Sequence, residues 1–182
     1  MVLWDGSPHP WFGQNHPPCC LMAALDDATG GILAARFFPF EGTEGYLWLL
    51  RQMVTQYGIP ISIYQDRHGS LKRNDDHWNL EEELAGRQEP TQVGQALRTL
   101  GIQPIFALSP QAKGRIERLF ATLQDRLGAE LGLAQVTTLA QGNDLHAQLL
   151  FVAFPAHQTG VLALQRKVGV HLFGIGVLRA LG

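Results

Sequence analysis

The sequence predicts an α/β fold: one mixed five-stranded sheet, three antiparallel strands followed by alternating helices and strands, with helices on its faces. Three observations carry this. CCLMAALDDATGGILAARFFPF (19–40) holds two apolar runs either side of a DDATGG turn, the pattern of an antiparallel hairpin. Downstream, helix-like and strand-like segments alternate, which lays strands beside one another with helices covering the sheet. A chain of 182 residues, 46% of them hydrophobic, suits a single domain with a real core.

The elements follow in order. MVLWD (1–5) reads as the end of a strand, and DGSPHPWFGQNHPP (5–18), rich in proline and glycine, as a loop. The hairpin comes next, turning at Asp26–Gly31. EGTEGYLWLLRQMVTQYG (41–58) is an amphipathic helix with Tyr46, Leu49, Leu50, Met53 and Tyr57 on one face and Gly58 as its stop. IPISIYQD (59–66) is a short strand ending in Asp66. Residues 67–90 form a polar, charged insertion, expected to be a mobile loop with a helical turn. TQVGQALRTLG (91–101) is a helix and IQPIFALS (102–109) a strand. The last good helix starts at Ser109 and Pro110 and carries Ile116, Leu119, Phe120, Leu123 and Leu127 at helical spacing.

Charge is uneven along the chain. The net charge is −2, so no overall basic field advertises nucleic acid. All 16 acidic residues lie at or before Asp144, giving the first 144 residues a net of −5 and the last 38 a net of +3. The only cysteines, Cys19 and Cys20, are adjacent. Neighbouring strand residues point to opposite faces, which makes them poor disulfide partners. With His16 nearby but no second ligand pair, two buried reduced thiols are expected, not a thiolate metal site, and this suits a cytoplasmic protein. No signal peptide is visible, and VGVHLFGIGVL (168–178) is too short to span a bilayer, so no membrane partner is expected.

Three carboxylates sit at the ends of rigid elements. Asp5 ends the first strand, Asp66 ends the fourth, and Glu117 lies in the first turns of the last helix, at the edge of its apolar stripe with Lys113 and Gln124. Each has an ordinary reading: an Asp-Gly turn, a loop cap, an ion pair with Lys113. If the first and fourth strands are neighbours, however, Asp5 and Asp66 meet at one edge, and a helix crossing there adds the third. Three hard oxygen donors suit Mg²⁺, and two such ions suit an in-line phosphoryl displacement. Asp26 and Asp27 fall in the hairpin turn and are left out of the site. Trp11 and Trp78 are expected to pack, and His68 to shape the loop after Asp66.

On DGSPHPWFG (5–13), CCLMAALDDATGGILAARF (19–37), YQDRHGSLKR (64–73) and TQVGQALRTLGIQPIFALSPQAKGRIERLFATLQDRL (91–127), the chain resembles the DDE transposase and retroviral-integrase catalytic core, an RNase H-like fold. Within that family it most resembles bacterial insertion-sequence transposases of the ISNCY kind. The resemblance runs from about residue 3 to 145, and SPQAKGRIER is its most specific part. It implies that Asp5, Asp66 and Glu117 are the metal-binding catalytic triad. It also implies Mg²⁺- or Mn²⁺-dependent cleavage at transposon ends, with two ions, and attack of the freed 3′-hydroxyl on target DNA. Lys113, Arg115 and Arg118 become candidate DNA-phosphate contacts, against the alternative of a solvated helix face. The implied partners are transposon-end and target DNA and other transposase subunits, in a bacterial cytoplasm at the nucleoid.

Two departures from the family shape the expectation. Its members carry an end-binding helix-turn-helix region ahead of the core, and this chain starts four residues before Asp5. After Asp144 the resemblance fades. Residues 1–144 are therefore expected to form the catalytic core, and 145–182 a divergent tail, read in a shifted frame, with a weak helix near 144–154. Two functions compete: a DNA strand-transferase, and a non-catalytic remnant that binds DNA or pairs with full-length transposase.

Overall fold

The structure, a computed structural model, describes residues 1–73, 78–86, 88–107 and 114–144. The expected helix start at Ser109 and Pro110, the candidate contact Lys113 and the tail 145–182, expected to be divergent and read in a shifted frame, lie outside the described residues. Strands β1 (Val2–His9), β2 (Cys19–Asp26) and β3 (Ile32–Phe38) lead to helix α1 (Thr43–Tyr57). Then follow β4 (Ser62–Gln65), α2 (Leu80–Ala85), α3 (Gln92–Thr99), β5 (Gln103–Phe106) and α4 (Gly114–Leu133). The sheet order is β3-β2-β1-β4-β5, antiparallel from β3 to β1 and parallel from β1 through β4 to β5. This is the mixed sheet that the sequence predicts, and it is RNase H-like. Among the described residues no helix is long and apolar enough to cross a membrane.

Strand alternation divides the core into two layers. Val2, Trp4, Cys20, Met22 and Ala24 pack with Tyr46, Leu49, Leu50 and Met53 of α1 and Val93 and Leu97 of α3. Leu3, Cys19, Leu21, Ala23 and Leu25 pack with Ile116, Phe120, Leu127 and Leu131 of α4. Central strands are thus covered on both faces, and each fully buried large apolar side chain contributes about 1.5–3 kcal/mol of transfer free energy. The adjacent cysteines fall in different layers, both buried and free. Burial pushes the Cys19 thiol up to about 11.

The β1–β4 register decides where the acids meet. Val2 pairs with Ile63 and Leu3 with Tyr64. One step on, Trp4 Nε1 donates to Gln65 Oε1 at 3.0 Å, a bond between two side chains that are each 1% exposed. The next step along the same offset is Asp5 beside Asp66.

The length of β1 differs from expectation. β1 does not stop at Asp5 but pairs with β2 as far as His9 opposite Cys19. Continuous pairing with a buried partner outweighs the turn residues, and Pro8 lies where β1 has β2 as its one neighbour, a position that tolerates a missing N–H. Trp11 then folds back, its indole donating to the Ser7 carbonyl at 3.0 Å. α4 runs past Leu127 to Leu133 because Leu131 extends the buried stripe. The described part of the insertion is organised around Glu82, which is 2% exposed. Its carboxylate accepts from the backbone N–H groups of Asn79 and Glu89 and pairs with Arg73. Asn79 returns a bond to the Glu82 N–H, completing a capping box at α2.

Candidate metal centre

β1, β3 and β4 run the same way, so their C-terminal ends face one edge of the sheet, where loops converge. Asp5 stands in β1, Asp66 directly follows β4, and Glu41 lies in the short connection from β3 to α1. Ligand oxygens of Asp5, Glu41 and Asp66 all lie within 4.8 Å of one another, and all three residues are half-buried.

The surroundings hold these groups in place. The buried Tyr46 hydroxyl donates to Glu41 Oε1 at 2.5 Å, and the Tyr46 ring packs on Trp4 with centroids 5.1 Å apart. The carboxyl of Glu41 seats directly over Gly6: a Cβ there would stand 2.8 Å from Glu41 Cδ and Oε2, and 2.9 Å from Cys20 Sγ. Only a residue without a side chain leaves that space. Asp66 Oδ1 accepts from the His68 N–H at 2.8 Å, and His68 Nδ1 in turn accepts from the Ser70 N–H at 3.3 Å. The same His68 Nδ1 lies 3.9 Å from Glu41 Oε1. His68 therefore shapes the loop after Asp66, as expected.

The electrostatic mark of the pocket is on its neutral neighbours. Burial, then the negative charge of Glu41, and then Asp5, push the Cys20 thiol up to about 12. Burial and the Glu41, Asp5 and Asp66 carboxylates raise the Tyr46 phenol far above its ordinary value. Carboxylates this close repel one another, and a bound cation removes the repulsion. Hard oxygen donors at this spacing, in a half-buried pocket kept open by Gly6, fit Mg²⁺ or Mn²⁺.

Glu117 is not in this group. It is exposed in the first turn of α4. Two turns on, along the same helix edge, Gln124 Nε2 donates to Ser7 Oγ at 3.0 Å, so that edge runs beside β1. The start of α4 is fixed by Arg115, which binds the Asp27 carbonyl and lies 3.6 Å from the Asp27 carboxylate. Arg118 is exposed on the same helix. Asp26 accepts from the N–H groups of Ala28 and Thr29, the turn role expected of it. Trp11 is buried, as expected, whereas Trp78 is 42% exposed.

Glu41 is the residue that sequence reasoning missed, since EGTEG reads as the opening of a helix. The available signal was topological: an acid just after a strand that runs parallel to β1 and β4 belongs to the same edge as theirs.

No family model matches the sequence. Among solved structures, the HTLV-2 integrase catalytic core domain in complex with magnesium (dimeric form) superposes with a TM-score of 0.54 at 13% identity, over 83% of this chain and 82% of that one. A chain of the simian T-cell lymphotropic virus intasome in complex with PP2A regulatory subunit B56 gamma gives 0.53 at 16% identity, over 82% of this chain and 47% of that one. The fold is therefore that of an integrase catalytic core domain. Sequence relatives narrow it. The chain is 37% identical over 143 residues to "Putative transposase y4bF" of Sinorhizobium fredii and 36% identical over 151 residues to "Transposase for insertion sequence IS1202" of Streptococcus pneumoniae. Each match takes in 79% of this chain and 30% of the relative's own length. Transposase relatives and integrase-core neighbours together support a DDE transposase/integrase core.

Proposed function

We propose that this chain is the metal-dependent core of a DNA transposase, which cuts a DNA strand and joins the freed end to a target. The observation that carries the reading is the parallel β1–β4 register, whose 61-residue offset sets Asp5 beside Asp66 in a pocket of carboxylates. Asp5 and Asp66 are the inner ligands, and Glu117 is the third carboxylate of the motif, supplied from α4. One or two Mg²⁺ or Mn²⁺ ions supply Lewis-acid stabilisation of the phosphodiester oxygens and lower the pKa of the attacking hydroxyl.

In cleavage, a water oxygen bonds to phosphorus, the P–O3′ bond breaks, and the water's proton ends on the leaving 3′ oxygen. In transfer the freed 3′-hydroxyl takes the place of water. The protein's part is to fix the carboxylates on strand ends and to guide the backbone phosphates. Arg118, exposed on α4, and Lys113 and Arg115 near the helix start are the candidate phosphate contacts. Arg115 exchanges its Asp27 partner to reach DNA. Partners on this reading are transposon-end and target DNA and further transposase subunits, in the bacterial cytoplasm.

A second reading, a non-catalytic chain that binds DNA or pairs with a longer transposase, is favoured by the position of Glu117 outside the carboxylate group. Purified protein incubated with Mn²⁺ and supercoiled plasmid separates the two. Nicking by the parent that is lost in Asp66→Ala supports the enzyme. Inactivity of both supports the second reading, and equal nicking by both refutes the assignment of Asp66.

A further inference from the structure

Glu41 is not among the three acids that the sequence singles out, yet its carboxyl is the one that sits with Asp5 and Asp66. Its position is built, not incidental. It is anchored from one side by the hydroxyl of Tyr46, a residue of α1 with no exposed surface. It is accommodated from the other by Gly6, whose missing Cβ is the space it fills. Tyr46 itself is wedged against Trp4, which is tied to Gln65. The chain of contacts thus runs from Glu41 back to the two strands that carry Asp5 and Asp66. A surface glutamate has no such support, and its side chain loses about 1.5–2 kcal/mol of rotamer freedom when fixed. The 15% exposed side chain of Glu41 still reaches solvent through the pocket, as a ligand to an exchangeable ion must.

We propose that Glu41 is the third oxygen donor to the first divalent cation in the DNA-free protein, with Tyr46 as the positioning residue that aims it. The proposal rests on the metal-dependent reading above and adds a ligand to it. In the free chain the ion is held by β1, the β3–α1 connection and the end of β4, three parts of one rigid sheet edge. Glu117, on the exposed rim of α4, is then left for the DNA-bound centre. Glu41→Gln keeps an oxygen for the Tyr46 hydroxyl but removes the charge, and Tyr46→Phe keeps the ring but removes the anchor.

The test is Mn²⁺ titration of the free protein followed by electron paramagnetic resonance, with no DNA present, on the parent and on Glu41→Gln, Tyr46→Phe, Glu117→Gln and Asp66→Asn. Metal-free melting curves of each variant report folding. Expected are a loss of about tenfold or more in Mn²⁺ affinity for Glu41→Gln and about tenfold for Tyr46→Phe. Glu117→Gln is expected to stay within about twofold of the parent. Glu41→Gln is also expected to raise the metal-free melting temperature slightly, because it removes one of three crowded charges. Parent-like affinity in Glu41→Gln, with affinity lost in Asp66→Asn, overturns the role of Glu41 and leaves the Asp5–Asp66 centre standing. A loss in Glu117→Gln as large as that in Glu41→Gln overturns it too. No Mn²⁺ binding by the parent overturns both this proposal and the metal centre beneath it.

Discussion

At the scale of single residues, the candidate site depends on buried groups that lie outside the carboxylate cluster itself. The Trp4–Gln65 bond lies one residue before each of the two aspartates and ties their strands together. Gln65→Leu leaves the indole N–H without an acceptor in the core, and an orphaned donor costs about 1–3 kcal/mol. Urea unfolding is expected to show a loss of that size, and Mn²⁺ affinity is expected to fall with it as Asp66 loses its fixed distance from Asp5. Asp5 and Asp66 were legible in the sequence because each follows an apolar run short enough to be a strand. Glu41 was not, because its role depends on the direction of β3, which local pattern leaves open. Arg115, a candidate DNA contact in the sequence, also fastens α4 to the β2–β3 turn, a tie that local pattern does not reveal.

At the scale of elements, the insertion and the end of the described chain carry the tests. Glu82 is the hub of the insertion, and hydrogen bonds from the Asn79 and Glu89 backbone, with Arg73 beside it, hold its carboxyl below the usual glutamate range. A depressed folded-state value means stability that is fully present above the ordinary glutamate range and fades as pH falls through the lowered value. The melting-temperature gap between the parent and Glu82→Gln is therefore expected to be full at neutral pH and to close in acid. At the other edge of the sheet, Asn143 receives the Phe37 N–H at 2.7 Å and donates to the Phe37 carbonyl at 3.2 Å, so a side-chain amide stands in for a neighbouring strand. Asn143→Ala removes both bonds, and denaturant titration is expected to show a loss of about 1–2 kcal/mol. Helices and the hairpin were legible from periodicity. The length of β1 was not, because turn-forming residues there are overruled by a partner strand some 15 residues away in sequence. The edge role of Asn143 was hidden too, since it lies 106 residues from Phe37.

At the scale of the molecule, the sheet is a frame that brings like charges together, and on the proposed reading its stability is linked to the ion they would hold. Anything that binds the folded state alone stabilises it, by about 2.7 kcal/mol at a hundred times its dissociation constant. Saturating Mn²⁺ is expected to raise the melting temperature by roughly 5–10 °C. Chelation should reverse the rise, and Asp66→Asn should abolish it. A parent that melts at the same temperature with and without the ion contradicts the linkage. The order of strands and helices, and so the fold class, was legible because it needs only the succession of periods. The composition of the pocket needed the register between distant strands, which no window of sequence contains.

The two adjacent thiols offer a way to watch this frame come apart. Cys19 belongs to the layer under α4 and Cys20 to the layer under α1, beside the acids. A brief pulse of alkylating reagent during denaturation, read by mass spectrometry of the one peptide that holds both, reports two halves of the molecule from neighbouring positions. Label at the first position marks the peeling of the long helix, and label at the second marks the opening of the acid-lined side, so a single digest gives the sequence in which the layers let go.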